Sequence, residues 1–394
     1  MRKTSSILFL FLLAILTLPV AAALAADRAQ AADPSDQLLV YIGTYTSGPS
    51  KGIYVTRLDL ARGTLEPVTL AAEVANPSFL AIPPRGLFLY AVGELSQAGG
   101  KSGGVLSAFA IQPRDGKLTL LNQQSTGSSG TCHVAIDRTG KCAIVANYGG
   151  GSVSCLPIEA DGRLGEVACL VQHAGASADR RRQEGPHAHG VYLDASNRFV
   201  FVPDLGLDKV MVYRLDASRG KLTVHDPAYA ATAAGAGPRH FAFLPNGRYA
   251  YVINELSSTI TAFSYDAGRG VLCPLQNIST LPSRFHGANT CAEIQVHPSG
   301  KFVYGSNRGH DSIAVFAVDE RTGKLRSAGH ELTRGKEPRN FAIDPTGRYL
   351  LAANQNSGTV VVFRIDAATG KLRATGSTAQ APSPVCVTML RVPR

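Results

Sequence analysis

The chain has 394 residues, 39 Lys and Arg against 29 Asp and Glu, a formal charge of +10, seven cysteines and no tryptophan. Such a length is ample for one large closed fold and long for a single ordinary core. The positive balance suits small anions, but the basic residues are scattered rather than gathered into a stripe, so no nucleic-acid partner is expected.

Taken from the N-terminus, Arg2 and Lys3 form a charged start, Ile7 to Val20 is an apolar run, and Ala23-Leu24-Ala25 is a small-x-small cleavage site. Residues 1–25 therefore read as a signal peptide and 26–37 as a linker. The apolar run is short for a membrane span and nothing later resembles one, so no membrane attachment is expected after cleavage. No cysteine follows the site to accept a lipid. Export to the periplasm or out of the cell follows, and cleavage removes two of the positive charges.

From residue 38 to 394 the chain reads as one domain. Leu38 to Tyr45, Gly52 to Leu58 and Thr64 to Val68 alternate as three strands. Six copies of one longer pattern follow, beginning near Pro77, Cys132, Pro186, Pro238, Ala292 and Pro338. Pro338 to Tyr349 and Pro238 to Tyr249 show it best: Pro and polar residues, an apolar run, a turn, then Arg-Tyr. The turn residue recurs at Gly86, Gly140, Asn197, Gly247, Gly300 and Gly347, roughly fifty residues apart, the period of a propeller blade rather than of a helical solenoid. In one copy 241–244, 248–254, 259–265 and 271–275 read as four strands. Pro384 to Met389 reads as a first strand without its blade. Joined to the three N-terminal strands it makes a seventh, which closes the ring and removes its exposed edge. The expected fold is an all-β seven-bladed propeller with four antiparallel strands per blade. The absence of Trp excludes Trp-Asp repeats and the tryptophan motifs of quinoprotein propellers.

Seven cysteines are an odd number for an oxidising compartment. Cys155 and Cys169 fall opposite each other on adjacent strands, with Cys142 a rival partner for Cys155; the pairing stays open. Arg180-Arg181-Arg182, the one tight basic run, reads as a solvated loop.

In each blade the start of the first strand and the end of the second must lie on the same face, beside the central channel. The polar residues at these positions are His133 and Asn147; His187, His189 and Asp204; Arg239, His240, Asn254 and Glu255; Glu293, Asn307 and Arg308; Arg339, Asn340, Asn354 and Gln355; with Asn76, Glu94 and Thr44 from the first and shared blades. The opposite face offers mainly Asp-x-Thr-Gly and Pro-Ser-Gly turns. This asymmetry predicts a funnel site on one face. His187 and His189, two apart, would point to one side of a strand, but no third ligand has recognisable spacing and no metal is expected. Asn147, Asn307 and Asn354 read as hairpin residues. Glu255 on a funnel wall demands a partner, and Arg239 or His187 can supply it.

Gln183 to His189, Gly237 to His240, Asn254 to Leu256, Ser306 to Gly309 and Glu337 to Phe341 resemble the seven-bladed lactonase family. That family includes the propeller type of bacterial 6-phosphogluconolactonase and the fungal carboxymuconate cyclase. The resemblance runs from about Leu38 to the end. It implies a carboxylic ester hydrolase acting on a small anionic sugar lactone, without cofactor or metal. It also implies catalytic roles for His187, Arg239 and Glu255, with His189 a rival for the first. His189, Asp204, His240, Arg308, Asn340 and Gln355 are the expected substrate-binding residues, and a monomer is expected.

The chemistry is coherent: a His or Glu activates water, while Arg239 and Arg308 grip an anionic group and neutralise the carbonyl oxygen. No Gly-x-Ser-x-Gly elbow is present, which argues against a serine nucleophile. Phosphorylated gluconolactone belongs to the cytosol, whereas this chain carries an export signal. The alternatives are a muconate-type cycloisomerase on the same residues, and an exported non-enzymatic scaffold that binds an anionic small ligand or a protein.

Overall fold

The computed structural model describes residues 36–391 apart from 96, 99 and 100. The expected signal peptide and nearly all of the linker lie outside the described residues. Seven antiparallel sheets follow one another around an axis. The chain ends meet in the first: Pro384–Arg391 is its innermost strand and pairs with Gln37–Thr44, which pairs with Gly52–Asp59. Blades two to seven run in chain order over residues 80–125, 131–172, 192–231, 238–279, 290–332 and 338–380.

Two details depart from the sequence expectation. The outer strand of the first blade, expected over Thr64 to Val68, is split into Thr64–Leu65 and Thr69–Glu73. Pro67, which has no N–H to give the ladder, lies in the gap. The innermost strands of the second and fourth blades shrink to Leu80–Ala81 and Tyr192–Leu193. Pro83 and Pro84 limit the former.

The second strand of each blade packs on both neighbours, so strands such as Phe199–Asp204, Tyr249–Asn254 and Tyr349–Asn354 are buried along their whole length. Outer strands such as Lys221–Ala231 are largely exposed and carry the polar residues. Between the fourth and fifth blades Phe201 stacks on Phe241 with ring centroids 5.5 Å apart, and Phe263 and Val252 complete the layer. A recurring latch joins neighbouring blades. Tyr90, Tyr251 and Tyr304 donate to the carbonyls of Gly162, Gly323 and Gly370 in the next blade, at 2.9, 3.0 and 2.8 Å. Gly323 has φ +71°, and a Cβ there would come within 2.2 Å of Tyr249 Cδ1, so the turn needs glycine.

All seven cysteines are free thiols. Cys155 and Cys169 are indeed register partners on adjacent strands, yet form no bond. On the turn face the expected chemistry is present: Asp137, Asp194 and Asp344 each accept backbone N–H groups from their own turn.

Candidate functional site

Strand register sets three rings of side chains down the channel. The pairs Thr131↔Asn147, Ala188↔Asp204, Pro238↔Asn254, Cys291↔Asn307, Pro338↔Asn354 and Pro384↔Thr44 are equivalent. The residues at or just after the ends of the second strands form the mouth: Tyr45, Glu94, Tyr148, Leu205, Glu255, Arg308 and Gln355. Below them lie Val385, Ser78, Cys132, His189, Arg239, Ala292 and Arg339. The deepest ring is Cys386, Phe79, His133, Gly190, His240, Glu293 and Asn340. The backbone holds the mouth ring in place. Tyr148, Glu255 and Gln355 each donate their N–H to the residue preceding the first strand of their own blade, Gly130, Gly237 and Glu337, and Glu94 donates to Asn76, four residues before Leu80–Ala81.

The mouth opens into a cleft of about 320 Å³ bordered by Glu94, Tyr148, Arg182, His189, Glu255, Arg308 and Arg339. Beneath it the channel narrows to about 10 Å³ among Tyr45, Phe79, Arg239 and His240. A separate cavity of about 500 Å³ opens on the turn face, against His133, Tyr192, Glu293 and Phe243.

Glu255 is the hub of the mouth. Arg182 Nη2 reaches its Oε1 at 2.7 Å, and Arg239 Nε and Arg308 Nη2 both reach Oε2 at 3.0 Å. Burial alone would raise its pKa, but Arg308, Arg239 and Arg182 outweigh burial and hold it down to about 2. Burial and the neighbouring Arg239 and Arg339 push Arg308 the other way, to about 10, against the pull of Glu255. Arg339 lies over the Tyr45 ring and donates to Tyr45 Oη at 2.8 Å. Three guanidiniums, of Arg182, Arg308 and Arg339, thus border a cleft whose carboxylates are Glu94 and Glu255, with Arg239 just beneath. That excess favours an anion or a developing oxyanion.

Below, Arg239 Nη1 stands 3.1 Å from His240 Nε2, so that nitrogen accepts and the proton sits on Nδ1. Nδ1 faces Glu293 Oε1 at 3.2 Å. Asn340 donates to Glu293 Oε2, its orientation fixed by Val387 N–H at 2.8 Å on Oδ1. Burial pushes Glu293 up to about 8, against the Ile294 N–H, Arg239 and Asn340. His240, His189 and His133 are all held well below the usual imidazole range, first by burial and then by the cations and imidazoles around them.

The structure brings Arg239, Glu255, Arg308, His189, His240 and Asn340 together on the axis. Three expected residues are not on it. His187 precedes the aligned Ala188, so its ring stands outside the channel. It stacks on Tyr148 with centroids 4.5 Å apart, Nδ1 is 3.0 Å from the Tyr148 carbonyl, and Nε2 is 3.3 Å from Glu184. His189 occupies the position that Arg239 holds in the next blade. The two-residue slip arose from aligning Pro186 with Pro238. Asp204 is wholly buried; it accepts His187 N–H and Gly206 N–H and pairs with His173 at 2.6 Å. Gln355 sits in the mouth ring without bordering the cleft, its Oε1 buried and unpartnered. Asn147, Asn254 and Asn307 tie hydroxyls of their own blades, a structural role. Among the described residues no group of three His, Cys, Asp or Glu is placed to hold a metal ion.

Arg182 corrects the reading of its run as a solvated loop. Gln183, fully buried, anchors the segment through Leu205 O and Asp208 at 2.8 Å each, and so presents Arg182 to Glu255. The position of the run immediately before Gln183-Glu184-Gly185-Pro186 is the sequence signal that could have found it.

A family model described as "Lactonase, 7-bladed beta-propeller" matches residues 39–389. The chain belongs to the seven-bladed β-propeller lactonase family. It is 38% identical over 350 residues to a 6-phosphogluconolactonase of Bacillus subtilis, covering 89% of this chain and 97% of that one. A 6-phosphogluconolactonase of Formosa agariphila is 35% identical over 310 residues, covering 77% and 86%. Among solved structures, the periplasmic gluconolactonase of Pseudomonas aeruginosa superposes with a TM-score of 0.85 at 34% identity, covering 91% of this chain and 100% of that one. Within this lactonase fold, the mouth described above is where the charged residues gather.

Proposed function

We propose that this lactonase-family chain hydrolyses a sugar lactone at the funnel mouth, outside the cytoplasm. The observation that carries the reading is the Glu255 hub, which holds Arg182, Arg239 and Arg308 on one wall with their charges only partly matched. A lactone carbonyl placed against that wall gains stabilisation as negative charge grows on its oxygen. The same guanidiniums hold the carboxylate of the aldonic acid product or a phosphate of the substrate. Glu255 orients the guanidiniums and is a poor proton acceptor, since its carboxylate is tied by three cations and titrates near pH 2. His189, neutral and on the axis, keeps the substrate-binding role expected of it, and His187, expected to be catalytic, stands outside the channel. Side chains alone supply these parts.

Export is supported by Arg2, Lys3 and the Ile7 to Val20 run, and by the likeness to a protein named a periplasmic gluconolactonase. The unphosphorylated aldonolactone is then the favoured substrate. The test is a pH-stat assay of the purified mature chain with δ-gluconolactone and 6-phosphogluconolactone. The reading expects base uptake well above spontaneous opening, faster for the unphosphorylated lactone, and a loss of at least about 100-fold in Arg239→Ala. Hydrolysis unchanged by Arg239→Ala contradicts it.

A further inference from the structure

We propose that Glu94 is the general base of this site, taking the proton from the water that attacks the lactone; the assignment rests on the hydrolytic reading above. Three carboxylates reach the channel from the ring positions: Glu94, Glu255 and Glu293. Glu255 is bound by three guanidiniums. Glu293 lies in the deepest ring, below the constriction, and is enclosed by the Ile294 N–H, Asn340 and His240. Glu94 borders both the open cleft and the constriction below it. Among the described residues Tyr45 Oη is its one side-chain donor, at 2.8 Å from Oε2, and Glu94 takes part in no ion pair, whereas Arg308 is shared by Glu255 and Glu337.

The position of Glu94 is built rather than incidental. It is the residue after the second strand of its blade, as Glu255 is in its own, and its N–H is fixed on Asn76 O at 3.1 Å. Glu94 belongs to the second blade and Glu255 to the fifth, so in a ring of seven they face each other across the axis. A lactone between them meets guanidiniums on one side and a carboxylate on the other. Arg339 donates to Tyr45 Oη, which donates to Glu94 Oε2. That chain fixes the carboxylate and leaves Oε1 for water.

The step balances. Water oxygen forms a bond to the carbonyl carbon while its proton passes to Glu94 Oε1, and the carbonyl π pair moves to oxygen beside the guanidiniums. Collapse of the tetrahedral centre breaks the bond to the ring oxygen, which takes the proton back from Glu94. The net change is lactone plus water giving hydroxy acid.

Of the imidazoles nearest the cleft, His187 turns away to Tyr148 and Glu184. His189 borders the cleft, but burial and then the neighbouring Arg239 hold it well below the usual imidazole range.

The test is steady-state kinetics of the full mature chain on δ-gluconolactone. Glu94→Gln, close in shape, should lower kcat by roughly 100- to 10,000-fold with KM changed less than about threefold. In Glu94→Ala, added formate should restore rate in proportion to its concentration, above the formate-catalysed rate without enzyme. Retention of kcat within about threefold in Glu94→Gln, while Arg239→Ala is inactive, overturns the base assignment and leaves the hydrolytic reading standing. Absence of lactone turnover by the unmodified chain overturns both. Circular dichroism of each variant separates misfolding from lost chemistry, and formate rescue of a folded Glu94→Ala supports the assignment even where Glu94→Gln folds poorly.

Discussion

Arg239 Nε lies 3.0 Å from Glu255 Oε2, and both side chains are more than nine-tenths buried at the centre of a seven-fold ring. Sixteen residues apart in sequence, they come from the start of the first strand and the end of the second in one blade. The same two positions in every blade supply the rest of the channel wall. Ion pairing here orients cations toward a cleft.

Breaking this hub costs stability as well as activity. Glu255→Gln leaves Arg239 and Arg308 facing each other without their anion, and removal of one partner of a buried pair typically costs about 3–5 kcal/mol. Urea titration of the variant should show a midpoint shift of that order, with kcat/KM down at least about tenfold. An unchanged midpoint would mean that the three guanidiniums are already neutralised by other groups.

Acid should weaken the fold through the same residue. The folded pKa of Glu255, about 2, lies below its ordinary 4.5, so its contribution is complete above about pH 4.5 and is lost as pH falls toward 2. Thermal melts from pH 6 to pH 2.5 should show a steeper loss for the parent chain than for Glu255→Gln.

Glu293 has the opposite sign. Its pKa is raised to about 8, above 4.5, so the stabilisation it gives is full below about pH 4.5 and declines as pH rises through 8. The parent chain should therefore lose melting temperature between pH 6 and pH 9, and Glu293→Gln should lose less. Parallel curves for the two proteins would show that the surrounding donors keep Glu293 ionised throughout.

The two histidines separate cleanly. His189→Ala should lower kcat/KM by about tenfold or more, because its ring borders the cleft, whereas His187→Ala should change it less, because that ring packs on Tyr148 outside the channel. The lactone assay on the two variants, run side by side, checks the ranking; the reverse order would restore His187 to the site.

Tyr251→Phe removes the donor to the buried Gly323 carbonyl without changing shape, and should cost about 1–3 kcal/mol by denaturant titration. Activity should be unaffected, since this latch lies away from the mouth.

Much of the fold is legible in the sequence. The turn glycines gave the period, and the strand pattern at the two chain ends gave the closing blade, because burial on both faces forces β-branched and aromatic runs at fixed spacing. Glu255 and Arg308 were legible as charged residues at the ends of buried second strands, and Arg239 as a charged residue at the start of a first strand on the same face. His187 was misplaced because the fourth blade has Ala188 where the fifth has Pro238, and only the Ala188↔Asp204 pairing fixes the register. Arg182 was missed because its placement depends on Gln183, a buried loop anchor that carries no periodic signal. Glu94 was named among the converging residues, but its standing apart from the arginine hub is a matter of distance, which spacing cannot supply.

The most direct test of the account is a crystal structure of the mature chain with gluconate, the product of δ-gluconolactone opening. The account predicts its carboxylate at the mouth, within hydrogen-bond distance of Arg182 or Arg308 and with the sugar toward Glu94. Gluconate seated in the cavity on the turn face, beside Tyr192 and Glu293, with the mouth empty, would contradict it.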